Sequence, residues 1–151
     1  MKVAAAFDHR GVKLRSAVLE AIAAAGHESV DLGVDTDAVR IDYPDKALEL
    51  GMAIRRGAAE RGVFVCGSGV GASMAASKIP GIRAAICHDN YSAHQGVEHD
   101  DMNVLCLGSE IVGNELAREL VHTFLGARFI GEGRYADRLE KVAELERMAD
   151  G

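Results

Sequence analysis

Short runs of apolar residues alternate along this chain with segments in which apolar residues recur every three or four positions. The runs predict β-strands, and the periodic segments predict helices. The predicted strands cover residues 3–7, 28–32, 62–66, 83–87 and 103–107. The predicted helices cover residues 14–25, a segment that begins at 42–44, and residues 72–78, 90–98, 114–125 and 135–148. This alternation predicts the α/β class: a three-layer αβα sandwich with a Rossmann-like five-stranded parallel sheet.

Polar residues follow three of the predicted strands. Asp8 and His9 come directly after the first strand, Cys66 ends the third, and His88 and Asp89 follow the fourth. Ligand sites of parallel sheets lie beyond the carboxyl ends of the strands. We therefore expect the chemistry of the protein to be located at that edge of the sheet.

Length and charge narrow the possible function classes. A chain of 151 residues can bury its own core, so residues 1–151 are predicted to form a single domain. A net charge of −6 argues against a nucleic-acid surface, and no apolar stretch approaches the ~18 residues of a membrane span. Three cysteines without a CxxC spacing favour a reducing compartment, so we expect a cytoplasmic protein.

The third predicted strand leads into a segment with glycine at every second position, residues 67–71, which we call the glycine loop. Its spacing matches neither the GxGxxG dinucleotide fingerprint nor the Walker A sequence. Two interpretations are open. The loop is either a tight strand-to-helix turn that needs a positive φ, or an anion cradle made of backbone N–H groups and the positive end of a helix dipole.

Cys66 and Ser68 favour the anion cradle. A cysteine is usually a small buried apolar residue, and Cys87 and Cys106 fit that description because they lie within apolar strands. Cys66 instead ends a strand at a predicted helix N-terminus, where a thiolate is stabilised. Ser68 is suited either to cap the helix or to hydrogen-bond a reacting oxygen.

The remaining histidines and arginines also have two interpretations. His88, His94 and His99 lack the spacing of a known metal motif, so no metal site is predicted. Arg134 and Arg138 are four residues apart and share one helix face. They are either a solvated pair or a clamp on a phosphate group.

Taken in order, these pieces resemble the ribose-5-phosphate isomerase B family and its galactose-6-phosphate isomerase relatives along nearly the whole chain. The matching pieces are Asp8-His9, Asp42-Tyr43-Pro44, the run from Cys66 to Gly71, the KIPGIRA sequence that starts at Lys78, His99, Asn103-Val104-Leu105, Val112-Gly113, and Gly133-Arg134 with Arg138. The resemblance implies an aldose–ketose isomerase that works through an enediolate without metal or cofactor. The implied reaction converts ribose 5-phosphate to ribulose 5-phosphate, a step of the pentose phosphate pathway.

The resemblance also implies catalytic roles for particular residues. Cys66 would move the proton between C2 and C1 of the sugar, assisted by Ser68. His99 would open the cyclic sugar by general acid–base catalysis. The enediolate oxygen would be held by preorganised backbone donors, namely those of Gly67, Ser68, Gly69, Val70 and Gly71.

Substrate binding and assembly follow from the same resemblance. Asp8 and Tyr43 would contact sugar hydroxyls, and the phosphate would be bound by His9, Arg134 and Arg138. Asp100 would lie beside the ring-opening histidine in the binding site. Because the family shares its sites between two subunits, we expect a homodimer, or a tetramer built from it, with the helix at about 134–149 contacting the partner.

Three residues depart from the family pattern. Asp100 replaces the usual Asn after the catalytic histidine, Glu110 replaces the usual Arg, and Tyr135 replaces the usual His. An anion beside a phosphate is unfavourable, unless Glu110 points away from the phosphate or pairs with an arginine such as Arg40 or Arg118. The proton-transfer residues are intact, but the substrate is left open to four- or six-carbon sugar phosphates.

Two other function classes remain open from the residues alone. A non-catalytic sugar-phosphate-binding protein on the same fold is one, although binding alone needs no thiol at a helix start. A thiol-dependent transferase or hydrolase is the other. It would need a base beside Cys66, and no residue close to it in the sequence supplies one.

Overall fold

A computed structural model describes residues 1–148 of the chain, and it contains one parallel sheet of five strands. The strands are β1 (Lys2–Phe7), β2 (Glu28–Asp31), β3 (Arg61–Cys66), β4 (Ala84–Ile86) and β5 (Val104–Gly108). Their order across the sheet is β2-β1-β3-β5-β4, and every neighbouring pair is parallel. The predicted fold class and strand number are confirmed.

Helices follow each strand, as the alternation predicted. After a short 3-10 helix at Gly11–Leu14 they are α1 (Arg15–Ala24), α2 (Tyr43–Arg55), α3 (Val70–Ser77), α4 (Asn90–Asp100), α5 (Asn114–Gly126) and α6 (Arg134–Met148). Within residues 1–148 none of these helices is long and apolar enough to cross a membrane. Position 149, the last in the predicted range of the final helix, lies outside the described residues.

Two hydrophobic cores cover the two faces of the sheet and make the three layers. Alternate side chains of a strand point to opposite faces, so Phe7 and Ala4 of β1 enter different cores. The first core lies under α1, α4 and α5 and includes Ile22 and Phe124. The second lies under α2 and α3 and includes Phe64.

The connections that follow β1 and β3 run to opposite faces of the sheet and leave a crevice between these two strands. These strands are neighbours, but the chain leaves β1 toward the face covered by α1 and leaves β3 toward the face covered by α3. Such a reversal at the carboxyl edge is where parallel sheets bind ligands. Asp8 follows β1 and Cys66 ends β3, so the fold places both residues at this crevice.

Helix α6 is packed differently from the rest of the chain. None of its residues is buried, and it rests mainly on α4. Between α6, α4 and the β4 edge runs a groove of about 840 Å³, whose apolar lining from the helix is Leu139, Val142 and Leu145. Val142 and Leu145 are exposed to solvent in this chain.

Candidate active site

The glycine loop makes a tight turn that brings a backbone donor to the thiol. Gly69 has φ 82°, in the left-handed region that favours glycine, so the loop makes the tight turn that the spacing predicted, and this geometry is compatible with an anion cradle. Its N–H donates to Cys66 Sγ at 3.1 Å. Cys66 is only 4% exposed and lies just below the N-terminus of α3. A backbone donor and the N-terminus of a helix therefore both lie at this sulfur.

Ser68 takes part in the same turn while remaining exposed. Its Oγ accepts a hydrogen bond from Val70 N–H at 3.2 Å, which matches the interpretation as a turn residue at the helix start. A hydroxyl has a donor as well as acceptor sites. The Ser68 O–H hydrogen is therefore available to a ligand beside the thiol.

The other two cysteines are placed as structural residues. Cys87 and Cys106 are both buried in the core regions of the sheet. Burial raises the pKa of Cys87 to about 11 and raises the pKa of Cys106 well above its usual range, because an apolar environment disfavours the thiolate. Cys66 is as buried as these two residues, and what sets it apart is the backbone N–H that donates to its sulfur.

The segment between β5 and α5 holds the glycine loop in place. Ser109 N–H donates to the Cys66 carbonyl at 2.8 Å, and Glu110 N–H donates to the Gly67 carbonyl at 2.9 Å. Gly108 N–H donates to Nε2 of His88 at 2.9 Å, and burial lowers the pKa of this histidine. His88, which the sequence placed among the polar residues of this edge, is thus a neutral acceptor that supports the loop.

Asp8 and His9 lie at the crevice but already have backbone partners. Asp8 is buried, and its Oδ1 accepts from the N–H groups of Arg10 at 3.0 Å and Gly11 at 2.8 Å. Its second carboxylate oxygen remains for a ligand. His9 Nδ1 accepts from Ile41 N–H at 3.3 Å, which places the ring proton on Nε2.

Two side chains flank the glycine loop so closely that only glycine fits beneath them. A Cβ at Gly71 would lie 2.7 Å from Cζ of Tyr43, and a Cβ at Gly67 would lie 2.3 Å from Cζ of Arg10. Tyr43 was predicted to reach the site from the sequence. Arg10 was missed, although its position directly after Asp8 and His9 at the end of β1 placed it at the same edge.

Glu110 is paired with cations, although not with the two arginines named as examples from the sequence. Its Oε1 lies 2.6 Å from Lys13 Nζ and 3.9 Å from Arg10 Nη2. These cations, Lys13 foremost, lower the pKa of the Glu110 carboxyl. The β5–α5 segment places Glu110 beside the chain that leaves β1, whereas Arg118, one of the arginines named as an example, pairs with Glu20 of α1 and with Glu115 of its own helix.

A second polar cluster surrounds His99. Its ring packs against the ring of Tyr135 with centroids 4.6 Å apart. Arg134 Nη2 donates to the Tyr135 hydroxyl at 2.8 Å. Gln95 Nε2 lies 2.8 Å from His99 Nδ1, and since an amide nitrogen can only donate, the imidazole proton is placed on Nε2. Arg138 follows one turn later on the same face of α6, exposed to solvent.

This second cluster lies at the opposite edge of the sheet from Cys66. Helix α4 starts at the carboxyl edge after β4 and runs back, so His99 and Asp100 at its end lie at the amino edge, just before β5. The five residues of β5 separate the two edges by about 16 Å. Within one chain, the structure therefore does not bring His99, Asp100, Arg134 or Arg138 to the thiol.

Histidines and carboxylates do not gather into a third cluster. Across residues 1–148, no three His, Cys, Asp or Glu side chains are grouped so that they could hold a metal ion. His94 pairs instead with Glu98 on its own helix, at 2.9 Å.

Known proteins are similar to this chain in sequence and in fold. Residues 3–142 match the model of the family described as Ribose/Galactose Isomerase. Ribose-5-phosphate isomerase B of Escherichia coli is 39% identical over 145 residues, 96% of either chain. D-erythrulose-4-phosphate isomerase of Pectobacterium atrosepticum is 34% identical over 146 residues, 97% of this chain and 95% of that one.

A solved structure agrees with the sequence matches. Ribose-5-phosphate isomerase B of Clostridium thermocellum superimposes with a TM-score of 0.93 at 40% identity, and 99% of each chain is covered. The family match spans nearly the whole chain, and the fold is the same. This chain belongs to the ribose/galactose isomerase family.

Proposed function

We propose that this protein is an aldose–ketose isomerase of a sugar phosphate, and that it converts ribose 5-phosphate to ribulose 5-phosphate through an enediolate. The observation that carries the proposal is the Cys66 thiol at the carboxyl edge, 3.1 Å from the Gly69 N–H and below the N-terminus of α3. The Escherichia coli and Clostridium thermocellum relatives named above as ribose-5-phosphate isomerases support the choice of substrate.

The proton transfer uses the thiol and the loop around it. The Cys66 thiolate removes the proton from C2, the C–H electrons form the C1–C2 double bond, and the aldehyde oxygen takes the negative charge. The thiol then returns the proton to C1, while the O2 proton passes to O1, which completes the ketose. Backbone N–H groups of the glycine loop and the Ser68 hydroxyl stabilise the charge that develops on oxygen.

Side chains around the crevice bind the rest of the open-chain sugar. The free carboxylate oxygen of Asp8 accepts a hydrogen bond from one sugar hydroxyl, and the hydroxyl of Tyr43 donates a hydrogen bond to another. His9, with its proton on Nε2, donates to the phosphate. Asp8 and His9 follow β1 and Tyr43 begins α2, so these contacts converge on the loop that carries the thiol.

Ring opening requires a second copy of the chain. His99, Asp100, Arg134 and Arg138 lie at the amino edge, so they reach a thiol only if that thiol belongs to a partner. The exposed apolar residues of α6 beside the 840 Å³ groove support such a partner, because an unburied helix with an apolar stripe gains stability when it is covered. We propose a homodimer with shared sites. Nε2 of His99 gives its proton to the ring oxygen as the bond between C1 and that oxygen breaks, and the anomeric hydroxyl returns its proton to Nε2 as O1 becomes the aldehyde oxygen.

A substrate series tests the proposal. The purified protein is assayed for isomerisation of ribose 5-phosphate, a four-carbon aldose phosphate and a six-carbon aldose phosphate at matched concentrations. We expect ribose 5-phosphate to have the highest kcat/KM. Absence of turnover with all three, together with measurable sugar-phosphate binding, would support the non-catalytic alternative instead.

A four-carbon substrate is the second candidate. The relative named D-erythrulose-4-phosphate isomerase covers nearly the whole chain, and Glu110 changes the charge at the rim of the site. A higher kcat/KM for the four-carbon sugar phosphate in the same series would replace the ribose 5-phosphate assignment while leaving the enediolate chemistry in place.

A further inference from the structure

Arg10 is fixed at the junction of two loops beside the thiol. Its N–H donates to Asp8 Oδ1 at 3.0 Å, and its carbonyl accepts from Ser109 Oγ at 2.7 Å. The chain leaving β1 and the chain leaving β5 therefore meet at this residue. Its backbone is held from both sides, whereas 56% of its side chain remains exposed.

The guanidinium of Arg10 lies flat against Gly67. A Cβ at Gly67 would be 2.3, 2.4 and 2.6 Å from Cζ, Nη1 and Nε, so three atoms of the planar group are equally close to this backbone. One face of the group therefore rests on the glycine loop. Its N–H donors lie in the plane and point along the rim, where a ligand bound at the loop would meet them.

The charges around Arg10 leave it free to bind an anion. Glu110 Oε1 is 2.6 Å from Lys13 Nζ but 3.9 Å from Arg10 Nη2, which is beyond hydrogen-bonding distance. Lys13 thus satisfies the carboxylate, and Glu110 orients Arg10 without using its donors. Two cations therefore lie around the single carboxylate of Glu110 at this part of the rim.

We propose that Arg10 binds the phosphate of the substrate at the rim of the site. The inference rests on the proposed function. The reacting carbons must lie at Cys66 Sγ, which is buried, so the far end of an open-chain sugar extends to the exposed rim. A phosphate dianion there meets an arginine fork that is suited to bidentate contact.

The first test replaces Arg10 and compares it with a matched control. In Arg10→Ala we expect KM for ribose 5-phosphate and the inhibition constant of inorganic phosphate both to rise about 10–100-fold, with kcat changed less than about threefold. Arg10→Lys should lose less, because it keeps the charge but not the fork. Arg55→Ala removes the same charge from an exposed site at the far end of α2 and should change neither constant.

Calorimetry with inorganic phosphate separates this inference from the proposed function. An active wild-type enzyme whose Arg10→Ala variant is folded and binds phosphate normally would overturn the role of Arg10. A wild-type protein that turns over no sugar phosphate but loses phosphate binding in Arg10→Ala would overturn the isomerase assignment and keep the anion site. Thermal unfolding of each variant verifies that it is folded.

Variants of Lys13 test why the guanidinium of Arg10 stays available to bind an anion. In Lys13→Met, Glu110 loses its nearest cation and competes for Arg10, so phosphate binding should weaken about 3–10-fold. In the double variant Lys13→Met/Glu110→Gln the competitor is gone, and phosphate affinity should return. If Lys13 had only a structural role, the double variant would not regain phosphate affinity. That result would overturn the arrangement proposed for Glu110.

Discussion

The two edges of the sheet carry two polar clusters that differ in how they are completed. At the carboxyl edge, residues from the loops after β1, β3 and β5 meet within one chain around Cys66. At the amino edge, His99 packs on Tyr135 of a helix that buries none of its residues. The first cluster is complete within one folded chain, whereas the second lies beside a helix that no other part of the chain covers. The proposed chemistry needs both clusters. Proton transfer would therefore require only a folded chain, and ring opening would require two chains to associate.

The largest effect should come from removing the thiol at the carboxyl edge. We expect Cys66→Ala to lower kcat by about 10³-fold or more, because the base that moves the C2 proton is lost. Sugar-phosphate binding, measured by calorimetry, should stay near the wild-type value. Turnover that is unchanged in this variant would show that Cys66 is not the base.

Complementation tests whether the amino edge serves a partner. Cys66→Ala and His99→Asn chains are each expected to be inactive alone. Co-expressed with two different tags, they should regain about a quarter of wild-type activity, because half of the dimers are mixed and each mixed dimer has one intact site. If both clusters acted within one chain, the mixed dimers would stay inactive.

Gly71→Ala should have a smaller effect that is confined to the carboxyl edge. The new Cβ would lie 2.7 Å from Cζ of Tyr43 and would push that exposed ring off the loop. We expect KM to rise about 10-fold with stability retained, because alanine is favoured in a helix. Gly126→Ala at the end of α5, where nothing lies within 4 Å, is the matched control. In a Tyr43→Ala background the Gly71 substitution should have no further effect.

The smallest effect is a pH dependence of stability at the carboxyl edge. Burial lowers the pKa of His88, so the folded state binds fewer protons than the unfolded chain. The neutral ring therefore contributes stability that is fully present above the unfolded pKa of about 6.5, and this contribution is lost as pH falls through the folded pKa.

Comparison with a His88→Gln variant isolates that contribution. Glutamine keeps an acceptor for the Gly108 N–H but does not titrate. Because His88 is partly exposed, we expect wild type to lose only about 1–2 °C more in Tm than the variant between pH 8 and pH 5. His27, whose pKa burial also lowers, is present in both proteins, so it cancels in the comparison. Equal losses would mean that the His88 ring carries no pH-dependent stability.

Much of the carboxyl edge could be predicted because it depends on local order along the chain. The apolar runs gave the strands, and the residues after each run were placed at the correct edge. The boundary of α3 was less accurate: the helix begins at Val70 rather than at residue 72, since the positive φ of Gly69 starts it immediately after the turn. Strand β4 is shorter than predicted, because its ladder with β5 pairs only three residues.

Contacts between distant loops could not be predicted in the same way. The pairing of Glu110 with Lys13, and the contact of Arg10 with Gly67, depend on how the ends of β1, β3 and β5 meet in space. The location of His99 was available from the sequence, since a residue just before the fifth strand must lie at the amino edge. The family resemblance suggested a chemical role for His99, whereas the order of strands and helices shows that it lies at the opposite edge from the thiol of its own chain.

The exposure of α6 has a consequence for how much activity each molecule has. In the proposed dimer with shared sites, a complete site exists only in the associated fraction of the protein, so we expect activity per chain to fall when the protein is diluted below its dimer dissociation constant. Synthesis of more protein would then raise the activity of molecules already present. With that assembly, the unburied helix would make abundance itself a control on catalysis.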